Sequence, residues 1–220
     1  MKRILLMLTL ALVALAGCKK DPAPGPDPVP GPDSGQTPDT PPTIVFKTNK
    51  AVGETVTLGF SRSEISKVSM DGAKAESALP AGDWGIYTCK LSSQTVTIKG
   101  DITAFDCKNN GITQIALTKD LRLFDFDCSN NELTSLDVSG LTELESFACS
   151  SNKLTTLDVS GLTELELFAC SSNKLTSLNI EGCENLYYLE CYSNSIKEEA
   201  MTDVVNDLPT LGAPGVGRFV

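Results

Sequence analysis

Histidine is absent from all 220 residues. That absence removes Ser–His and Cys–His nucleophilic catalysis together with every histidine metal site. Cysteine is present eight times but never as a Cys-x-x-Cys pair, so no compact tetrahedral metal set can be assembled from it. No Gly-x-Ser-x-Gly, P-loop or dinucleotide-binding fingerprint occurs, and no cofactor is expected. Long apolar runs are also missing; residues 4–16 are too few to span a bilayer. Positive charge is in deficit, with 18 Lys and Arg against 28 Asp and Glu, a formal charge of −10. Nucleic acid and bare anionic membrane are therefore poor partners.

What the chain does have is repetition. Cys107, Cys128, Cys149, Cys170 and Cys191 recur at an unbroken 21-residue spacing. The cleanest copies are LESFACSSNKLTTLDVSGLTE (144–164) and LELFACSSNKLTSLNIEGCEN (165–185), with apolar residues at the first, fourth, sixth and eleventh places. Phe105, Phe126, Phe147, Phe168 and Leu189 fill the fourth place, and Asn110, Asn131, Asn152, Asn173 and Asn194 the ninth. This is the leucine-rich repeat pattern L-x-x-L-x-L-x-x-N-x-L with Cys in place of the third Leu. A second period lies inside the first, since LTSLDVSGLTE (133–143) repeats the apolar rhythm of LRLFDFDCSNN (121–131). Two short extended segments per coil predict two parallel β-sheets around a narrow core, with no room for long convex helices.

These phrases resemble the short nested leucine-rich repeats of bacterial proteins. Cys-Ser-x-Asn and Leu-Asp-Val-Ser are similar to phrases of Bacteroidetes surface lipoproteins, over residues 96–199. The resemblance implies a mainly β leucine-rich repeat solenoid that binds other proteins. The N-terminus fits it: Lys2 and Arg3, an apolar run, then Leu15-Ala16-Gly17-Cys18, which resembles the lipobox of bacterial lipoproteins. That implies a signal peptide at 1–17, a lipidated Cys18 and a membrane anchor of several acyl chains. Lys19 stands where Asp would retain an enteric lipoprotein in the inner membrane, which favours the outer membrane, facing either the cell surface or the periplasm. The Pro- and Gly-rich stretch to residue 42 reads as an extended tether.

Residues 43–100 lack the repeat, but TIVFKTN, ETVTLGFS, SKVSMDG, WGIYTCK and QTVTIKG alternate apolar and polar residues between turns. They predict an antiparallel β cap over the first coil of a solenoid at 101–194, with Trp84, beside Ile86, read as core in preference to an exposed ligand platform. At the other end, 195–220, Ser195-Ile-Lys-Glu198 reads as a capping box. It would open a closing helix with Ala200, Met201, Val204, Val205 and Leu208 on one side and Pro209 as its stop. The last residues look like the start of a strand.

The cysteine series occupies core positions, and parallel strand-mates rarely offer disulfide torsion, so reduced buried thiols are expected. Cys183 reads as core, replacing the Leu at 141 and 162. The Asn series reads as structural, its side chains bonding the backbone of two coils, and Thr134, Thr155 and Thr176 as an outer polar row. Binding must then use the third, fifth and seventh places, which face outward. Near the N-terminal end these include Asp106, Asp125 and Asp127, without calcium-loop spacing and so a solvated face rather than a metal site. At the C-terminal end Tyr188, Glu190 and Tyr192 stand beside Leu167. The two tyrosines fit either a recognition surface or packing against the closing helix. A flat or convex β-face offers no cleft to raise a carboxylate pKa, so Asp125 and Asp127 are not read as an acid–base pair and no enzyme is expected. Three functions remain open: a lipid-anchored protein binder, a glycan binder using stacked tyrosines, and a passive envelope component.

Overall fold

The structure, a computed structural model, describes residues 41–62, 68–76, 84–209 and 218–219. The expected signal, Cys18 and the tether up to residue 40 lie outside these residues, as does most of the tail. The fold is a mainly β solenoid with an antiparallel β cap and one described helix. Six strands, two of them only three residues long, build the cap: β1 (Thr43–Thr48), β2 (Thr55–Arg62), β3 (Ser69–Asp71), β4 (Ala73–Ala75), β5 (Trp84–Leu91) and β6 (Thr95–Lys99). The first coil supplies β7 (Ile102–Asp106) and β8 (Ile112–Leu117). Later coils give one strand each, β9 (Asp125–Asp127), β10 (Ser146–Ala148), β11 (Leu167–Ala169) and β12 (Tyr188–Glu190), followed by α1 (Glu198–Asp207) and β13 (Arg218–Phe219).

These strands form two sheets. One has the order β3-β6-β1-β8; the other runs β13-β12-β11-β10-β9-β7-β2-β5-β4. The larger sheet changes character at β7, which pairs antiparallel with β2 on one side and parallel with β9 on the other. The first coil is thus divided, because its second strand β8 pairs antiparallel with β1 in the smaller sheet. A single apolar core runs from Ile44 in the cap to Val204 in α1.

Ladders explain the solenoid. In register, Phe105, Phe126, Phe147 and Phe168 stack with ring centroids 6.1, 5.6 and 5.4 Å apart, and Phe60 of the cap pairs with Phe105 across the β2–β7 junction. Beside them Cys107, Cys128, Cys149 and Cys170 are fully buried free thiols. Three residues after β7, β9, β10, β11 and β12 end, the backbone turns left-handed, at Asn109, Asn130, Ser151, Ser172 and Ser193. Small polar residues tolerate that conformation, and it aims the next side chain, the ladder Asn, inward. Asn152 is typical: Nδ2 donates to the carbonyls of Cys128 and Cys149, both at 3.0 Å, and Oδ1 accepts from the Leu133 amide at 3.0 Å. Each Asn therefore ties its own turn to the preceding coil.

Three expectations need correction. The second parallel sheet does not form among the described residues; that face holds one isolated bridge, Asp158 to Asn179. Asp137, Asp158 and Asn179 instead accept hydrogen bonds from the amide two residues on, at 2.9, 2.9 and 3.1 Å. Left-handed Gly140, Gly161 and Gly182 follow, so the chain spends this segment turning rather than extending. The capping box is also absent. Helix α1 starts at Glu198 with Lys197 as N-cap and no side-chain cap, while the Ser195 amide continues the coil by donating to the Leu175 carbonyl. Ser195 is two residues too early to cap. Val204 is buried and Met201 and Leu208 pack on the core, but Val205 is 58% exposed.

The third correction concerns β5, where Gly85, Tyr87, Cys89 and Leu91 face inward. Trp84 and Ile86 face out, 44% and 65% exposed. Thr88 and Lys90 share their phase, and a strand with one dry face puts Thr and Lys on the wet one. The tail's β13 pairs in parallel with β12, covering the backbone edge of the last coil.

Candidate functional site

The outer side of the larger sheet is a surface built by register. Crossing from cap to last coil, the strands align Trp84, Ser61, Ala104, Asp125, Ser146, Leu167 and Tyr188 in one row. The next row aligns Ile86, Gly59, Asp106, Asp127, Ala148, Ala169 and Glu190. With strands spaced about 4.8 Å apart, β9 to β12 spans about 14 Å, so the acidic and tyrosine groups anticipated from sequence belong to one surface.

At the acidic end the carboxylates do not stand free. Lys108 Nζ lies 2.7 Å from Asp106 Oδ2 and 3.3 Å from Asp127 Oδ2. Asp127, 8% exposed, also accepts the Ser129 amide at 2.9 Å, and Asp106 accepts the Lys108 amide at 3.1 Å. Burial works against the Lys108 charge, but the hydrogen bonds and negative charges of both aspartates outweigh it and hold its pKa above the ordinary value. Asp125 has a different setting. Burial pushes its carboxyl up to about 6, helped by the charges of Asp127 and Asp106 and opposed by the Ser146 hydroxyl and Lys108. The face is therefore enclosed enough to perturb a carboxylate, contrary to the expectation of a flat wet surface. Neighbouring rows shade one another. Even so, among the described residues no three metal-ligating side chains converge on a common point.

The tyrosine end is organised around Glu190, 7% exposed. Tyr188 OH donates to its Oε2 at 2.9 Å and Ser171 Oγ to its Oε1 at 2.7 Å, with Ser150 Oγ 3.1 Å further along. Both oxygens of this buried carboxylate are thus satisfied, as burial of a charge requires. Leu167 is half-buried beside Tyr188 on the neighbouring strand. Tyr192 is half-buried two residues beyond the strand end.

The cap's share of this surface comes from Trp84, exposed as a platform and not held in the core as the preferred sequence reading has it. The Trp84 ring lies on Gly59; a Cβ there would sit 2.7 Å from ring atom Cζ2 and 3.2 Å from Asp106 Cβ. Glycine leaves the room that the indole occupies here, close to Asp106. The phase of Thr88 and Lys90 was the available signal. The cysteines belong to the core and not to the site: burial pushes Cys107, Cys128, Cys149 and Cys170 well above the usual thiol value, and Cys89 and Cys183 up to about 11.

No protein-family model matches this chain, and no curated protein matches it. Among solved structures it is similar to the functional domain of InlJ from Listeria monocytogenes, described as including a cysteine ladder, with 28% sequence identity and a TM-score of 0.37. The match takes in 50% of this chain and 30% of that one. The fold described above rests on this chain's own geometry.

Proposed function

We propose that this chain is a non-catalytic binding module of the cell envelope, anchored in the outer membrane through lipid on Cys18, that engages another protein through the outer face of its larger sheet. One observation carries the reading: the face is continuous from cap to last coil, built of small residues in its middle and edged by large amphipathic side chains. Leu167, Tyr188 and Tyr192 supply area at one end, with Glu190 holding Tyr188 in place. Trp84 near Asp106, with Asp125 and Asp127 on the strand beyond, supplies the other. Rigid aromatic side chains flanked by polar groups are the chemistry of interface anchors. The lipobox-like Leu15–Cys18 supports the anchor, and the likeness to Bacteroidetes lipoproteins agrees with it.

A second reading, capture of a glycan for uptake, is favoured by the exposed Trp84 ring lying against Gly59 close to Asp106, since sugars stack on such rings and hydrogen-bond to carboxylates. Protein and glycan arrays probed with the full chain separate the two. Replacing Tyr188 and Tyr192 together with Ser is expected to weaken an array-selected protein by about 2 kcal/mol while folding is retained. Selective loss of a glycan ligand in Trp84→Ala supports the second reading instead. For the anchor, Cys18→Ala is expected to abolish metabolic lipid labelling and leave an unprocessed precursor; continued lipid incorporation contradicts it.

A further inference from the structure

The second face of the solenoid, away from the sheet, holds a groove of about 780 Å³ between the turns of three coils and helix α1. Leu136, Leu157 and Leu178, one from each coil, lie along its floor, with Leu136 the most open of the three. Asp137 and Asp158 stand on one rim, and Asp203 and Asp207, one helical turn apart, on the other. All four carboxylates are exposed, no Lys or Arg lines the groove, and none of the four is in an ion pair among the described residues.

Two details point to what the groove takes. Asp137 and Asp158 are fixed by their turn bonds to the Ser139 and Ser160 amides, so their charges are presented in constant positions one coil apart. Asp207 lies in the last turn of α1, which has no basic residue there. A helix C-terminus disfavours negative charge, so this acid costs helix stability unless a cation sits beside it. We propose that this groove docks an extended, lysine- or arginine-rich peptide segment of a partner protein. Alternate side chains of an extended segment point to opposite sides. Apolar residues would thus reach the leucine floor while basic ones meet the aspartate rims. A second copy of this acidic chain lacks the charge to do so. The surface is separate from the sheet face proposed above, and neither reading depends on the other.

The test uses the full chain and two fluorescent eight-residue peptides, one alternating Lys with Leu and one alternating Lys with Ser, followed by anisotropy at several salt concentrations. The Lys–Leu peptide is expected to bind at least tenfold more tightly than the Lys–Ser peptide. Asp203→Asn with Asp207→Asn should weaken it at least tenfold, and Asp137→Asn with Asp158→Asn, which keeps the turn acceptors, should weaken it too. Asp106→Asn with Asp125→Asn, an equal charge change on the other face, should leave it within twofold. Equal loss in that control, or equal binding of both peptides, would show bulk attraction and overturn the proposal. So would a dimer in sedimentation that dissociates in the groove variants, since a second copy would then be the occupant. Circular dichroism melting of each variant separates loss of binding from loss of fold.

Discussion

Strands β2 and β5 of the cap pair over seven residues, whereas β10 and β11 of the solenoid pair over three. The cap holds itself by long antiparallel ladders between segments distant in sequence. The solenoid cannot do this with three-residue strands, and it compensates with side chains: each buried Asn supplies the bonds that a longer strand would have made, and each Phe and Cys meets its counterpart 21 residues away. The difference teaches where stability resides in each half. Substituting one ladder residue removes a bond set that the solenoid has no spare strand to replace. The two halves nonetheless share β7 and one core, so damage in either should be felt by the whole.

The largest expected effect is Asn152→Ala, which leaves the Leu133 amide and two cysteine carbonyls without their buried partner and should cost about 3 kcal/mol in denaturant unfolding. Asn194→Ala, in the half-buried last turn, should cost about half as much. Equal costs would break the idea that strength grows toward the middle of the stack. Next, Cys149→Ala should cost about 2 kcal/mol through the cavity it leaves, against about 1 kcal/mol for the half-buried Cys191.

A smaller effect sharpens the contrast at the junction. Asp125 has its folded pKa raised from 3.8 to about 6, so folding disfavours its ionised form, and the cost to stability builds up as pH rises from about 4 and is fully present above about 6. Asp125→Asn should therefore stabilise the protein at pH 7.5 by about 1 kcal/mol, after solvent screening of a partly exposed group, and the gain should vanish below pH 4. Thermal melts of both proteins across that range check the sign. The smallest effect is Trp84→Ser, expected to change stability by about 0.5 kcal/mol or less because the ring lies on the outer face, whereas Tyr87 on the same strand is buried and stacked on Phe60 at 4.5 Å. Trp84 is the chain's one tryptophan, so its emission should be that of a partly solvated indole in the folded protein.

The solenoid was legible because its contacts are periodic. A residue that repeats every 21 places must meet its copy, and Phe, Cys and Asn announced their inward positions by recurring in step. The cap strands are legible from alternation, but alternation gives two faces without saying which is dry; for β5 the large apolar Trp84 and Ile86 suggest the wrong one, and Tyr87, Cys89 and Leu91 form the inner set. The second sheet was overread because apolar spacing in LTSLDVSG fits a strand as well as a turn. Only the Asp side chain two residues before the Ser amide decides between them. For the surface, sequence placed Tyr188, Glu190 and Leu167 together but gave no hint that Glu190 would be buried and bonded by Tyr188 and Ser171, because that needs the strand register.

The continuity of cap and solenoid is tested most directly by pulsed alkylation across a denaturant series, read cysteine by cysteine in a mass spectrometer. Buried neutral thiols are silent until their region opens, and Cys89 reports the cap, Cys107 the junction and Cys149 the middle coil. One sheet and one core predict a common midpoint for all three, with Cys191 in the last coil labelled earlier by fraying. Labelling of Cys89 at a lower denaturant concentration while Cys149 stays protected would contradict the account, because the cap would then be a separate unit resting on the stack.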